Sequence, residues 1–135
     1  MSYIETVPLE EATGEVREMY ERQQGAWGYV PNYAKSFSQR PEVMARWGRL
    51  LAELQRPWDD RRLEMITFAA AHELRHTSCS LAHGNMLTPF FTSEEICAIA
   101  EQRPVESITE AEQEMMRFSR QVARDASTVE AADVE

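Results

Sequence analysis

Residues 64–83 read EMITFAAAHELRHTSCSLAH, and this stretch decides the fold. Asp59 stands where a helix cap is wanted, and Leu63, Ile66, Thr67, Ala70, Ala71 and Leu74 follow at helical spacing, which predicts a helix with those residues facing inward. Thr77 and Ser78 then predict a break and a new cap. A second helix is expected from near Cys79 to about Leu87, with Pro89 ending it. The stretch also carries reactive side chains in order: Glu64, eleven residues, His76, two residues, Cys79, three residues, His83. A cysteine is a nucleophile only as thiolate. On a helix, residues i and i+4 share a face, so His83 is within reach of the proton of Cys79. Glu64, well upstream, is the candidate third group that orients or stabilises the imidazole.

Working outward, the remaining segments also read as helices. On the N-terminal side, Thr13 caps a helix to about Gln24 with Val16, Met19 and Tyr20 on one face, and Gly25 is expected to end it. Gly28 to Asn32 is a turn around Pro31, followed by a short helix near Tyr33 to Ser38. Pro41 opens a helix whose apolar face is Val43, Met44, Trp47, Leu50, Leu51 and Leu54, stopped at Pro57. On the C-terminal side, Thr92 with Glu95 forms a capping box for a helix to Glu101 bearing Ile96, Ile99 and Ala100. Thr109 with Glu112 forms another, for a helix to about Arg124 bearing Met115, Met116, Phe118 and Val122. Thr128 is a candidate cap for one more helix. No alternating strand pattern, internal repeat or low-complexity linker interrupts the series, so the fold class is all-α, one helical domain over residues 1–135.

Composition narrows the function. A formal charge of −9 disfavours nucleic acid and anionic membrane surfaces as partners. No apolar run approaches a membrane span, and the N-terminus lacks a basic region followed by an apolar one. Two cysteines, Cys79 and Cys97, do not make a secreted disulfide framework in a chain this long. A soluble, reducing, cytoplasmic setting is the expectation.

Beyond the central motif, the runs Glu11-Ala12-Thr13-Gly14-Glu15-Val16, Val30-Pro31-Asn32-Tyr33, Arg40-Pro41-Glu42-Val43, Asp60-Arg61-Arg62-Leu63-Glu64 and Leu81-Ala82-His83-Gly84 cover nearly the whole chain. Together they resemble the alkylhydroperoxidase-D-like (AhpD-like) and carboxymuconolactone-decarboxylase superfamily. Its redox members carry Glu, eleven residues, Cys, two residues, Cys, three residues, His. Glu64, Cys79 and His83 fall on matching positions, and His76 stands where the first cysteine would be. The resemblance implies an AhpD-like helical bundle, either in a form shortened at its C-terminal end or with further helices beyond Glu135. It also implies a thiol-dependent, peroxidase-like antioxidant activity, with symmetric homo-oligomers as the working state.

The resemblance makes Cys79, His83, Glu64 and His76 the catalytic candidates. Cys79 would attack a hydroperoxide, His83 would handle the proton and Glu64 would position His83. His76 cannot form the usual dithiol–disulfide pair. It is left as a second base, as a charge that favours the Cys79 thiolate, or as a surface residue at a helix end. An external thiol or redox protein would then serve as reductant, unless Cys97 replaces the missing thiol. The reading calls for no cofactor. A metal alternative rests on His72, His76, Cys79 and His83, spaced four, three and four, which form one stripe only on an uninterrupted helix. The superfamily's decarboxylase branch, acting on a small lactone acid through His76, His83 and Glu64, is the second reading. A non-catalytic helical binding or assembly module is the third. Trp27, Tyr29, Tyr33 and Trp47 are pocket-lining candidates without an assigned role, and Arg61 and Arg62 are read as partners of surface acids.

Overall fold

The computed structural model describes residues 3–134 and is all-helical. It divides into two compact units, one ending at Arg56 and the other beginning at Pro57. No helix among the described residues is long and apolar enough to cross a membrane.

The N-terminal unit holds α1 (Gly14–Trp27), α2 (Asn32–Ser36) and α3 (Pro41–Gln55), with single 3-10 turns at Leu9–Glu11 and Phe37–Gln39. α1 runs through Gly25 and stops at Gly28, not at Gly25 as the sequence reading has it. Gly28 adopts the left-handed conformation (φ 75°), and its N–H returns to the Gln24 carbonyl at 2.9 Å. A left-handed residue just past the last turn costs glycine no steric strain, so the second glycine is the stop. Ala12, Met19, Tyr20, Val30, Ala34 and Met44 form a small core. The segment before α1 is tied down at Glu5, whose carbonyl accepts from the Gln39 side-chain amide at 3.3 Å, and at Val7. Val7 donates its N–H to the buried Ser38 hydroxyl at 2.9 Å and accepts from the Tyr20 hydroxyl at 2.8 Å. Of the apolar face expected on α3, only Met44 is buried.

The C-terminal unit holds α4 (Asp60–Glu73), α5 (Thr77–Met86), α6 (Ser93–Ala100) and α7 (Glu110–Asp125), followed by 3-10 turns at Ala126–Thr128 and Ala131–Asp133. Thr128 therefore closes a turn and caps no helix. α4 is the central element and packs against α5, α6 and α7. Its buried residues are Met65, Phe68, Ala69 and Ala71. Of the residues the spacing turns inward, Ala71 is buried, Leu63, Ile66, Thr67 and Ala70 are half-buried and Leu74 is exposed, so the predicted face holds only in part. The reason is physical: α4 packs against α5, α6 and α7, so apolar residues on more than one side are partly covered and spacing alone selects no single face.

The core of this unit joins Met65, Phe68, Leu87, Phe91, Ile99 and Met116 with smaller residues between them. Burying a side chain of this size stabilises by about 1.5–3 kcal/mol. Polar ties cross the same interfaces. Ser119 on α7 donates to the Ile66 carbonyl on α4 at 2.8 Å, and Arg120 donates to the Ile99 carbonyl on α6 at 3.1 Å. Arg61 on α4 meets the buried Glu112 on α7 at 3.0 Å, donates to the Ser107 carbonyl at 2.8 Å and stacks 4.4 Å from the centre of the Phe91 ring. Arg61 is thus a structural tie and not a free surface cation, whereas Arg62 pairs with Asp59 at 3.6 Å on the surface.

Candidate active site

The site is built where α4 turns into α5. α4 ends at Glu73, four residues before Thr77, where the sequence places the break. The Arg75 N–H bonds the His72 carbonyl at 3.0 Å, and the His76 N–H bonds the Ala71 carbonyl at 2.9 Å. This double return is a Schellman termination, and it puts Arg75 in the left-handed region at φ 53°. A non-glycine residue there costs roughly 1–2 kcal/mol, which the surrounding contacts offset. With arginine where glycine is usual, the stop carries no sequence signal.

His76 then begins the next helix. It is the N-cap of α5, and its Nδ1 accepts the Cys79 N–H at 3.2 Å. Thr77 and Ser78 lie inside the helix, not at its cap. In this bond Nδ1 accepts through its lone pair, which leaves Nε2 as the outward ring nitrogen. His76 is exposed and sits at a helix N-terminus, where a cation is disfavoured. Of the roles left open for His76, the surface position at a helix end is found at the N-terminal end of α5.

Cys79 is the third residue of α5 and is half-buried. Its own N–H is taken by His76 Nδ1. His83 lies one turn further along the same face, about 5–6 Å away between Cβ positions. His83 Nδ1 and Glu64 Oε2 approach to 2.6 Å, with the two side chains 22% and 13% exposed. Glu64 is thus a largely covered partner of His83, against the ordinary fate of a glutamate on a helix surface. With Nδ1 held by the carboxylate, Nε2 is the ring nitrogen left for proton transfer.

A close approach of helices makes this pairing possible. A Cβ on Gly84 would lie 3.2 Å from the ring of Phe68, which is 4% exposed and fixed in the core. Glu64 and Phe68 are one turn apart on α4, while His83 and Gly84 are neighbours on α5. The missing side chain at Gly84 lets α5 close on α4 at the level where the imidazole meets the carboxylate.

Glu64 and His83 are brought together across two helices, and His76 and Cys79 are brought together within one turn. His72 is not part of either pair; it is exposed, with its ring centre 6.0 Å from that of Phe68. The metal stripe of His72, His76, Cys79 and His83 needs one continuous helix, and the turn at residues 74–76 breaks it. Among the described residues, no three His, Cys, Asp or Glu side chains converge as a metal-binding group. Cys97 is an exposed free thiol on α6, and no disulfide joins it to Cys79. In the N-terminal unit, Tyr33 and Trp47 line a groove of about 740 Å³ between α1 and α3, beside Met19, Arg22 and Met44. None of the residues lining it belongs to the Glu64, Cys79 and His83 set.

Comparison with family models, curated proteins and solved structures finds no match to this chain.

Proposed function

We propose that the chain is a one-cysteine variant of the AhpD-like redox proteins, reducing hydroperoxides through Cys79. The observation that carries the reading is the 2.6 Å contact between Glu64 and His83, with Cys79 one turn before that histidine on the same helix. His83 takes the thiol proton on Nε2, and Glu64 stabilises the imidazolium that results. The Cys79 thiolate attacks the distal oxygen of the hydroperoxide. The S–O bond forms as the O–O bond breaks, and the leaving alkoxide takes the proton back from His83. Cys79 is left as sulfenic acid, oxidised by two electrons. An external thiol then attacks that sulfur, water leaves, and a second thiol releases the mixed disulfide. His76 acts in this scheme through the backbone of Cys79 and not as a base. The protein works as a homo-oligomer in this reading.

A second reading keeps the same pair without the thiol: Glu64 and His83 alone suffice for acid–base work on a small lactone acid. One experiment separates the two. Cys79→Ser should abolish peroxide consumption with a dithiol reductant, while His83→Gln should slow it by about 10²–10⁴-fold and recover partly at high pH, where the thiolate forms unaided. Non-reducing peptide mapping after peroxide should find sulfenic acid or a mixed disulfide at Cys79 and no bridge to Cys97. A Cys79→Ser protein that keeps its turnover on lactone acids, with His83→Gln still damaged, would move the assignment to the acid–base reading. Unmutated protein inactive on both substrate classes would end the catalytic reading.

A further inference from the structure

α3 presents a face that its own unit leaves uncovered. Trp47, Leu50 and Leu54 are 49%, 58% and 62% exposed, in a helix of 15 residues whose only buried side chain is Met44. The spacing 47, 50, 54 is that of a coiled-coil seam. Arg46 and Glu53 border the same edge, one residue before Trp47 and one before Leu54, so both occupy the flanking position that faces a partner helix. They lie seven residues, or about 10 Å, apart along the axis and carry opposite charges. Among the described residues no carboxylate lies within ion-pair distance of Arg46, and Glu53 has only the exposed Arg56 of its own helix as partner.

This arrangement is self-complementary in one orientation. In an antiparallel pair of α3 helices related by a twofold axis, Arg46 of each copy falls opposite Glu53 of the other, and the Trp47, Leu50 and Leu54 seams close on one another. A parallel pair would set Arg46 beside Leu51 of the other copy and form no Arg46–Glu53 contact. The charge distribution favours the same surface. Residues 1–56 carry eight acidic against seven basic side chains, while residues 57–135 carry fifteen against seven. Two copies of a chain at −9 repel each other least through the N-terminal unit, which is nearly neutral.

We infer that α3 is the docking face for a second copy of this chain, paired antiparallel through Trp47, Leu50 and Leu54 and fixed in register by reciprocal Arg46–Glu53 contacts. The inference rests on the homo-oligomer part of the reading above, and not on its chemistry.

Sedimentation of the full chain across a concentration series tests it. The unmutated protein should dimerise. Leu50→Glu should weaken the dimer at least about 100-fold, because the twofold buries two unpaired charges. Arg46→Glu and Glu53→Arg should each weaken it by about tenfold or more, since each converts two attractive pairs into two repulsive ones. The double variant R46E/E53R should return to within about threefold of the unmutated Kd, as only the antiparallel register predicts. All three positions are exposed, and circular dichroism of each variant verifies that the fold is kept. Self-association indifferent to Leu50→Glu, or a double variant no better than its singles, would overturn the α3 face while leaving the homo-oligomer reading standing. A monomer at every concentration, with Leu50→Glu lowering Tm, would mean that another part of the same chain covers the face, and would overturn both. Peroxide turnover through Cys79, measured alongside, stands or falls separately.

Discussion

The two units begin their helices differently. In the C-terminal unit every α-helix has a side-chain cap: Asp59 for α4, His76 for α5, Thr92 for α6 and Thr109 for α7. In the N-terminal unit none does. Thr13 stands at the N-cap of α1 without a side-chain hydrogen bond, and Pro31 and Arg40 precede α2 and α3 in the same condition. Interior contacts follow the same division. The C-terminal helices are joined by Arg61–Glu112, Ser119–Ile66 and Arg120–Ile99, while the N-terminal unit buries a smaller set of apolar residues and leaves the α3 seam open. The unit with fixed helix ends is the one that carries Glu64, Cys79 and His83. Groups that must meet within tenths of an ångström need helices whose ends do not fray, and an interaction surface tolerates more freedom.

The largest effect that would break this contrast is at the centre of the C-terminal unit. Arg61→Ala leaves Glu112 buried without its guanidinium and should cost about 3 kcal/mol in urea unfolding. Leu54→Ala on the open seam, measured at concentrations where the chain is monomeric, should cost no more than about 0.5 kcal/mol. Equal losses would mean that the seam is as much a core as the Arg61 tie. Acid reads the same tie. Burial pushes the Glu112 carboxyl up, but the Arg61 guanidinium and the backbone N–H and hydroxyl of Thr109 outweigh it and hold the group below the ordinary carboxylate value of 4.5. A lowered folded value means that the unfolded chain binds the proton more readily. The contribution is therefore complete above the ordinary carboxylate range and is lost as pH falls through the lowered one. Arg61→Ala should flatten that acid loss.

The next effect sharpens the link between packing and site. Gly84→Ala places a methyl against the immobile Phe68 ring and should cost about 1–3 kcal/mol. It should also shift the His83 imidazole resonances as α5 is pushed off α4. A destabilised protein with unmoved His83 signals would show that the approach of the helices does not set the Glu64–His83 contact.

The smallest effect tests the caps directly. Thr109→Ala should cost about 1 kcal/mol, because a capping box is lost from α7. Thr13→Ala should change stability by only a few tenths of a kcal/mol, since the Thr13 hydroxyl caps nothing in α1. Thermal unfolding of the pair reads the difference. A Thr13→Ala cost equal to that of Thr109→Ala would erase the distinction between the units.

These contrasts also show what the sequence could reveal. The boxes Thr92/Glu95 and Thr109/Glu112 are legible because both partners lie within one helical turn. The all-α class is legible from uninterrupted helical spacing. The break before α5 is misplaced because Arg75, not glycine, takes the left-handed position, and because a histidine cap resembles none of the usual capping residues. The second role of Glu112, as partner of Arg61 across 51 residues, leaves no local trace. Glu64 and His83 are suggested by motif spacing, but the feature that lets them meet is the absence of a side chain at Gly84, which only three-dimensional packing makes meaningful. The apolar face of α3 is plain in the sequence; that its own unit leaves it uncovered is not.

The Arg61–Glu112 tie has a kinetic side. Glu64 and His83 are only 19 residues apart, so α4 and α5 meet by closing a short loop. Arg61 to Glu112, Ile66 to Ser119 and Glu73 to Arg124 each span more than fifty residues, so bringing α7 back to α4 costs more chain entropy than closing α5 on α4. Contacts that form after the rate-limiting barrier act on escape from the folded state and not on entry to it. A tie that forms late in this way is a brake on unfolding, and the expected sign is an Arg61→Ala variant that unfolds faster while folding at an unchanged rate.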